Sequence, residues 1–483
     1  MKKRQQSAQE PRELDSEVAN WGAQEFASAN IGDARLNARL IAVAEAFMQK
    51  PGASVPKASA SWAGAKGVYR FFDNAKVNSQ NILSPHTEST KRRIEGRELV
   101  LAIQDTSTID YSTRDATDDI GPAGNRLTRG LMLHPTLAVT PEGTPLGILD
   151  LQIWNRPDNT WSSELTREER RNTPLEDKES MKWINSYRKV CEIQKEMNDK
   201  VHFVNVCDRE GDMYDLFLEH HKLSTENPPD LLVRAAKDRK LAGDSGFLWD
   251  FMESIDVFGE YDIQVQRKVG KKAREATLQI RFSKITMRRP FHRYPVKENP
   301  SFDLYAVYTC EKNPPQKEEG ISWMLLTTMP VLTFEDAVEK VEWYTDRWII
   351  ETFFKVLKSG CKIENRQMKT GARLMSCITV DSIIAWRILF LTFIGRELPD
   401  LSAEIVFEPH EWQSLHCRIN NTSELPNTVP SLYTVMIQIA KLGGFLARKS
   451  DGFPGPITIF QGMHVLYDMA AVYKILRPEA TSG

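Results

Sequence analysis

Two apolar segments that each end in an aspartate constrain the fold more than any other feature of this chain. The segments "ELVLAIQD" and "VHFVNVCD" end at Asp105 and Asp208, and unbroken apolar runs of this length are typical of strands buried on both faces. Two more strand segments, joined by the turn "PEG", and one long helical segment lie between them. The order of three strands, a helix, a strand, a helix and the strand "DLLVRAA" predicts an α/β fold.

The composition and periodicity of the sequence change along the chain and indicate several regions. The first part reads as helices, a later part alternates apolar and basic residues as β-strands do, and the last part is again helical. Thr333 and Asp336 are placed to cap the long helix that follows the β-rich part. The expected bounds are a helical region 1–85, a first core part 86–237, a β-strand insertion 238–322, a second core part 323–395 and a helical region 396–483.

Basic residues lie four positions apart on two of the predicted N-terminal helices. Arg35 and Arg39 share a helix that Asp33 is placed to cap, and Lys66 and Arg70 share a later helix. Residues four apart lie on one face of a helix. This arrangement suits contacts with the phosphates of a DNA backbone.

The segment "YTDRWIIETFFKVLKSG" places polar side chains along one face of a predicted helix. Tyr344, Arg347, Glu351, Lys355 and Lys358 interrupt an apolar run at offsets of 0, 3, 7, 11 and 14 residues. These offsets project onto an arc of roughly 80°. A solvated stripe with i,i+4 ion pairs would explain the pattern, and so would a metal-binding carboxylate among phosphate-binding side chains.

Three carboxylates in these segments have the chemistry of a divalent-metal site. Asp105 and Asp208 end predicted strands, and Glu351 lies on a helix beyond the insertion. Mg²⁺ takes oxygen ligands, usually one or two carboxylates with waters and substrate phosphate, and Mn²⁺ would bind the same set. Two such ions about 4 Å apart support in-line displacement at a phosphodiester. Taken singly, the residues could instead be a turn residue, a helix N-terminal acid and a surface acid.

Bulk properties exclude several classes of protein. The net charge of −2 neither requires nor excludes nucleic acid, because phosphate neutralisation depends on local contacts. Basic clusters at 91–93, 267–274 and 288–293 are either DNA contacts or solvated loops. The six cysteines include no C-x-x-C pair, which argues against a zinc site and a disulfide scaffold.

Nothing in the sequence favours a membrane protein. The most apolar run, 377–395, contains Asp381 and Arg387, and charges at mid-bilayer are costly, so we expect a buried core helix. The first residues lack the apolar core of a signal peptide. We therefore expect a cytoplasmic protein that associates with the nucleoid when it binds DNA.

Several motifs together resemble the insertion-sequence-four family of bacterial cut-and-paste DDE transposases, and within it the branch of transposon five. "YTDRWIIETFFKVLK" matches the signature Y-x-x-R-x-x-x-E-x-x-x-x-x-x-K, and "IQDTS" and "VCDRE" match the contexts of the two catalytic aspartates. "GDARLNARL" and "GVYRFF" resemble the N-terminal region that binds transposon ends, and "IAKLGGF" resembles the C-terminal dimerisation region. The resemblance extends from about Trp21 to Tyr473.

The resemblance implies a ribonuclease H-like (retroviral-integrase-like) core in which Asp105, Asp208 and Glu351 form a metal-binding catalytic triad. It implies nicking of the transposon end, a hairpin intermediate, and transfer of the ends into target DNA by a homodimer. Each subunit would bind one end and cut the end held by its partner. No small-molecule substrate is implied.

The resemblance also assigns DNA contacts near the triad. Tyr344, Arg347 and Lys358 match positions that grip the 5′ phosphate beside a flipped base, and Trp323 matches the tryptophan on which such a base stacks. Arg234 resembles a DNA-contacting arginine near the active site, and Lys355 belongs to the same stripe. For Trp323 the alternative is a core tryptophan on a buried strand.

Other classes of function remain open from the sequence alone. A stand-alone nuclease would need the triad but not the phosphate-binding stripe or a dimerisation region. A non-catalytic DNA-binding regulator of transposition would need only the flanking regions. A two-carboxylate glycosidase would not explain arginine and lysine beside the glutamate. The segment 160–174 and residues 1–14 have no clear counterpart in the family.

Overall fold

The computed structural model describes residues 21–59, 61–113, 117–157, 166, 169, 173–243, 245–265, 274–290, 301–316, 319–449 and 451–477. Residues 1–14, most of 160–174 and most of the basic cluster 267–274 lie outside the described residues. The helices in the described parts are α1 (Trp21–Glu25), α2 (Ala34–Gln49), α3 (Val55–Ala58), α4 (Trp62–Phe72), α5 (Ser79–Ile94), α6 (Met181–Glu196), α7 (Tyr214–Lys222), α8 (Leu248–Glu253), α9 (Phe334–Thr345), α10 (Trp348–Lys355), α11 (Gly371–Glu397), α12 (Pro409–Asn420), α13 (Leu432–Leu442) and α14 (Pro456–Leu476). The strands are β1 (Leu99–Gln104), β2 (Ser107–Asp110), β3 (Gly121–Ala123), β4 (Asn125–Val139), β5 (Pro145–Trp154), β6 (His202–Cys207), β7 (Asp230–Arg234), β8 (Gly259–Val265), β9 (Arg274–Met287), β10 (Phe302–Glu311) and β11 (Ser322–Thr327).

The centre of the molecule is a mixed sheet with β1 in the middle. Its core order is β5–β4–β1–β6–β7, in which β6 and β7 run parallel to β1 while β4 runs antiparallel to it. Side chains alternate across the sheet. Val100 and Ala102 pack under α6, whereas Leu101 and Ile103 belong to the larger core that contains α11. This sheet and its covering helices are the α/β core that the strand and helix order predicts.

The β-strand insertion extends the same sheet and does not form a separate layer. β11 pairs antiparallel with β7, and β10, β9 and β8 continue the sheet outward in that order. Alternating burial along β9 shows why the sequence of this strand alternates. The extension of the sheet therefore starts at the pair β7 and β11, whose neighbouring ends carry Arg234 and Trp323. The bounds of the five regions remain a prediction.

The helical N-terminal region is capped and packed as its sequence predicts. The side chain of Asp33 accepts a hydrogen bond from the backbone N–H of Arg35 and so caps α2, as N-terminal aspartates commonly do. Ser61 caps α4 in the same way. The loop expected between these helices contains the short helix α3, since Pro56 suits a first helical turn.

A close backbone contact joins this region to the core. Gly52 has a φ of +74°, and a Cβ at this position would lie 2.7 Å from the carbonyl oxygen of Gly360. The side chain of Arg366 donates to the carbonyl of Ala53 and forms a buried ion pair with Asp381 of α11. Only glycine fits at position 52, because any other side chain would be strained and would collide with backbone.

The basic cluster 91–93 has a structural role. It forms the last turn of α5, where Arg93 makes two hydrogen bonds to the buried carboxylate of Glu25 in α1. His86, also in α5, bonds the same carboxylate at 2.5 Å. Glu25 thus holds α1 against α5, and the reading of this cluster as a DNA contact or a solvated loop is wrong for Arg93.

The long apolar helix α11 is a core helix. By length and composition it could cross a membrane, but 83% of its most apolar window is buried inside the protein. Asp381 lies within it, fully buried and paired with Arg366. The C-terminal helices α12, α13 and α14 pack against one another, and α13 and α14 also pack against α11. All six cysteines are free thiols.

The segment that contains Glu351 is not a single straight helix, contrary to the sequence prediction. The capping box of Thr333 and Asp336 starts α9 as expected, but α9 ends at Thr345, α10 begins at Trp348, and a π-helical turn, Val356–Gly360, follows. The projection of five side chains onto one straight face therefore fails. The backbone of Asp346 and Arg347 stays in the right-handed helical region, and Arg347 and Glu351 still pair one turn apart.

Candidate active site

The two aspartates lie at adjacent strand ends. Asp105 follows β1 and Asp208 follows β6, and these strands are neighbours that run parallel, so their carboxyl ends meet at one edge of the sheet. The Oδ1 atom of Asp105 accepts from the N–H of Thr106 at 2.7 Å. Oδ1 of Asp208 accepts from the N–H of Glu210 at 2.8 Å and caps a short 3₁₀ turn. These local bonds fix the direction of each carboxylate.

Glu351 is joined to this edge by an arginine. Nη1 of Arg347 donates to Oδ2 of Asp105 at 2.8 Å and to Oε1 of Glu351 at 3.4 Å. The Arg347 and Asp105 side chains are 12% and 13% exposed, whereas that of Glu351 is 43% exposed. The i,i+4 partner of Glu351 is Arg347, and the guanidinium bridges two of the three acids. The structure therefore brings the predicted triad into one electrostatic cluster.

The electrostatics of the cluster disfavour negative charge on the aspartates. Burial, and then the nearby carboxylate of Asp208, raise the pKa of Asp105 to about 7, against the opposing effect of Arg347. Burial also raises the pKa of Asp208. Buried acids with raised pKa values in a cleft are typical of functional sites. A bound cation would offset the burial that raises both pKa values and the repulsion from Asp208 that adds to it at Asp105.

The donor set fits a hard divalent cation. Among the described residues, no three His, Cys, Asp or Glu side chains converge as a ready metal site, and the guanidinium of Arg347 lies between Asp105 and Glu351. The three carboxylates nevertheless offer the oxygen ligands that Mg²⁺ and Mn²⁺ take. Asp105, Asp208 and Glu351 are the residues that would hold the ion.

An aromatic and basic group flanks the acids on the side of the insertion. The ring of Trp323 in β11 meets the ring of Tyr344 edge-on, with 5.3 Å between centroids. Arg234, at the end of β7, donates to the carbonyl of Ser322, and its positive charge acts to lower the pKa of Tyr344, which burial raises. Tyr344 is buried, whereas Trp323 and Arg234 are half-buried. The structure thus gathers Arg234, Trp323, Tyr344 and Arg347 beside the triad.

The two lysines of the stripe lie farther along. Lys355 ends α10 and is exposed, and Lys358 lies in the π-helical turn and is half-buried. The charge of Lys358 lowers the pKa of Asp110 at the end of β2, after the larger effects of Ser112 and of burial. Lys358 therefore faces the β2 side of the site. Lys355 points to no acid of the triad in the described contacts.

The N-terminal basic residues form a second surface, away from the triad. Arg39 of α2 lies against α4, where a Cβ at Gly67 would come within 3.0 Å of its Nη1. Lys66 and Arg70 are exposed on α4. Arg35, with a side chain 91% exposed, is paired with the cap residue Asp33. The sequence pattern pairs Arg39 with Arg35 on α2. In the structure Arg39 lies against α4, the helix that carries Lys66 and Arg70.

The sequence analysis missed one residue of this surface. Trp62, the first residue of α4, is 77% exposed, and the ammonium of Lys66 lies 4.8 Å from the centroid of its ring. A tryptophan so exposed is rare in a folded chain. The signal in the sequence was a tryptophan in the first turn of a helix, four residues before Lys66 and on the same face.

Comparison with known protein families identifies the family of this chain. Residues 18–77 match the family of transposase DNA-binding domains, residues 202–378 match the transposase DDE domain, and residues 383–477 match the transposase Tn5 dimerisation domain. The chain belongs to the Tn5-type DDE transposases. The DDE match contains Asp208 and Glu351, and Asp105 lies N-terminal to it.

The matches confirm the predicted fold and the general function. The chain is a DNA transposase with a ribonuclease H-like core between helical N- and C-terminal regions. The DNA-binding match contains α2 and α4, which carry Arg39, Lys66 and Arg70. The dimerisation match contains the C-terminal helices. DNA as a partner and a homodimer follow from these two matches.

Proposed function

We propose that the transposase excises its element by cutting both strands at each transposon end through a hairpin intermediate, and then joins the ends to target DNA. We assign the chemistry to Asp105, Asp208 and Glu351. The observation that carries this assignment is that Asp105 and Asp208 lie at the adjacent carboxyl ends of β1 and β6, and that Arg347 bridges Asp105 to Glu351 of α10. The reaction would take place on DNA in the bacterial cytoplasm.

Each proposed step is an in-line displacement at phosphorus. Water attacks the phosphorus at the element's border, a new P–O bond forms, and the bond to the element's 3′ oxygen breaks to leave a 3′-hydroxyl. That hydroxyl attacks the phosphorus of the opposite strand and displaces the 3′ oxygen of the flanking DNA, which closes a hairpin. Water reopens the hairpin at the same phosphorus. The freed 3′-hydroxyl then attacks a target phosphodiester and displaces its 3′ oxygen.

The side chains of the site would bind and orient the DNA during these steps. When bound by the triad, two Mg²⁺ or Mn²⁺ ions would lower the pKa of the attacking hydroxyl and stabilise the leaving oxygen. Asp105, Asp208 and Glu351 would hold these ions at the sheet edge. Arg347, which neutralises Asp105 and Glu351 in the DNA-free protein, is released to bind phosphate once cations neutralise the acids.

The flanking residues would bind the DNA that the cut leaves behind. The charge of Arg234 is close enough to Tyr344 to act against the burial that raises the pKa of its phenol, and with Lys358 these two residues suit a 5′ phosphate. Trp323 presents its ring beside Tyr344 and would stack on a base turned out of the helix, which costs a few kcal/mol of lost stacking. Lys355 would contact the backbone farther along.

The N-terminal surface would read the terminal repeats. Arg39, Lys66 and Arg70 would bind backbone phosphates, which fix the register of a protein on DNA, with Arg35 at the edge of the surface. Trp62 stands among them with an exposed ring and is able to contact a sugar or a base edge.

The test is a cleavage reaction on the element's own ends. Purified protein is incubated with Mg²⁺ and a linear DNA that carries both terminal repeats, and the products are separated on a denaturing gel beside Asp105→Ala, Asp208→Ala and Glu351→Ala. We expect hairpinned ends from the wild type and none from the three variants, each of which should bind end DNA normally. Glu364→Ala is the matched acidic control, and it should cut.

Two outcomes would contradict the proposal. Binding without cutting by the wild type would favour the regulator of transposition. Cutting that survives Glu351→Ala would mean that the glutamate of α10 is outside the active site.

A further inference from the structure

A row of buried polar side chains crosses the sheet directly beneath the two aspartates. Gln104 of β1, His134 of β4 and Asn205 of β6 are each 0% exposed. These strands are neighbours, and Gln104 and Asn205 lie one and three residues before Asp105 and Asp208. Polar groups are rarely placed in the middle of a sheet, so the row requires a reason.

The row is a continuous chain of hydrogen bonds. Thr106 Oγ1 and His134 Nδ1 are 2.9 Å apart, and His134 Nε2 lies 3.3 Å from Gln104 Oε1. Nε2 of Gln104 donates to Oδ1 of Asn205 at 2.6 Å. The chain thus begins at the residue beside one aspartate and ends in the strand that carries the other.

A residue outside this hydrogen-bond chain also holds His134 in place. Its ring meets that of Trp183 in α6 edge-on at 4.7 Å, and Trp183 is itself buried. Buried and connected polar networks favour one arrangement of the groups that they join. Loss of the imidazole would leave both Thr106 and Gln104 without the partner described here.

We propose that His134 is a positioning residue that, through Thr106 and Gln104, sets the distance between the strand ends bearing Asp105 and Asp208. The inference rests on the proposed role of these aspartates. His134 itself touches neither ion nor DNA, because it is buried beneath the site. It acts as the groups that hydrogen-bond to metal ligands do, whose loss commonly lowers metal affinity or activity about 10–100-fold.

The strand offers a matched control. Thr136 lies on the same face of β4 two residues from His134, is also 0% exposed, and is the register partner of Gln104. Its hydroxyl has no hydrogen-bond partner among the described residues. Thr136→Val keeps the shape of the side chain and removes no hydrogen bond. It therefore perturbs the same part of the core and leaves the hydrogen-bond chain through His134 intact.

The experiment compares His134→Leu, His134→Gln, Thr106→Val and Thr136→Val in the full-length protein. Mn²⁺ binding to the DNA-free protein is followed by electron paramagnetic resonance, end-DNA affinity by gel shift, and hairpin formation by denaturing gel. We expect His134→Leu and Thr106→Val to lose about 10-fold or more in Mn²⁺ affinity and in cleavage rate, with end-DNA affinity unchanged. His134→Gln, which keeps a donor and an acceptor, should regain much of the loss, and Thr136→Val should match the wild type.

A folded His134→Leu protein with wild-type Mn²⁺ affinity and cleavage would overturn the inference. If His134→Leu does not fold, Thr106→Val provides the test, because Thr106 is only half-buried beside the site. A Thr106→Val protein with wild-type Mn²⁺ affinity and cleavage would equally overturn the inference. Equal losses in Thr136→Val would also overturn it, since they would show a general packing effect. A wild type that binds Mn²⁺ but cuts no ends would refute the proposed function and leave the Mn²⁺ comparison to judge His134.

Discussion

At the scale of single residues, the environment of Asp105 in the metal-free protein disfavours the ionised form of its carboxyl group. Its pKa rises from 3.8 to about 7, chiefly through burial and the nearby Asp208. Between about pH 4 and 7 the folded state therefore keeps a proton that the unfolded state has lost. Because the folded state binds more protons, the free energy of unfolding falls as the pH rises through this window. The site is thus destabilising at neutral pH until a cation arrives.

Asp105→Asn should remove this cost. We expect it to raise the free energy of unfolding by about 1–3 kcal/mol at pH 8 without metal, and to change it little at pH 4, where Asp105 is protonated in the wild type. Added Mg²⁺ should stabilise the wild type and not the variant, because only the wild type retains the site. Urea unfolding at the two pH values, with and without Mg²⁺, measures all three effects. A variant less stable than the wild type at pH 8 would contradict the argument.

Trp62 gives a prediction about recognition. Trp62→Ala should weaken binding to the terminal repeat about 10-fold, equivalent to about 1.4 kcal/mol, because its exposed ring lies beside Lys66 on the surface that we propose binds the repeat. Phe258→Ala is the control, since Phe258 is another exposed aromatic residue, 55% exposed, in the β insertion. Lys66→Ala should instead reduce the salt dependence of binding by about one phosphate contact. Fluorescence anisotropy at several salt concentrations separates the two effects, and unchanged affinity in Trp62→Ala would remove this residue from the surface.

At the scale of elements, the segment bearing the glutamate shows what sequence could and could not predict. The strand ends, the cap at Thr333 and the burial of α11 follow from local patterns of apolarity and capping. The break between α9 and α10 does not, and neither does the contact of Arg347 with Asp105, which joins residues 242 positions apart in sequence. For the same reason the sequence could place Gln104 and Asn205 on strands but not reveal that His134 joins them.

The buried pair of Arg366 and Asp381 anchors the segment that follows α10. Both side chains are at most 3% exposed, and Arg366 also stacks on Phe47 of α2 with 4.2 Å to the ring centroid. Removal of one partner from a buried pair leaves an uncompensated charge and costs about 3–5 kcal/mol. Arg366→Met should therefore destabilise the protein by about that amount, and Arg366→Met with Asp381→Leu should recover most of it. Thermal unfolding of the two variants tests this, and equal losses in both would contradict it.

At the scale of the whole molecule, the apolar face of α14 gives a prediction about assembly. Val465, Val472 and Leu476 lie seven and then four residues apart and are 41%, 56% and 74% exposed, within the matched dimerisation domain. Val472→Glu should weaken the dimer about 10-fold or more, because a charge would be buried at the contact, and should leave the thermal stability of the monomer unchanged. Gln461→Glu, at an exposed position of the same helix, is the control. Sedimentation of the protein with and without end DNA measures the effect.

Partner cutting can be tested by mixing defective subunits. Glu351→Ala subunits keep the N-terminal surface, whereas subunits with Arg39, Lys66 and Arg70 changed to alanine keep the triad. If each subunit cuts the end that its partner binds, the mixture should regain cleavage that neither variant shows alone. Mixtures that stay inactive, together with wild-type monomers that cut a single end, would contradict the model of cutting in trans.

The contact of Gly52 with Gly360 has a consequence for the safety of the host chromosome. The backbone of Gly52, next to the end-binding helices, packs closely against Gly360 in the turn that follows α10. If subunits cut in trans, this packing would help to keep a bound repeat away from the acids of the same subunit. A solitary repeat left in a genome by an old deletion would then be bound but not broken. A larger residue at position 52 would loosen this coupling, and its harm would be measured as double-strand breaks at lone repeats.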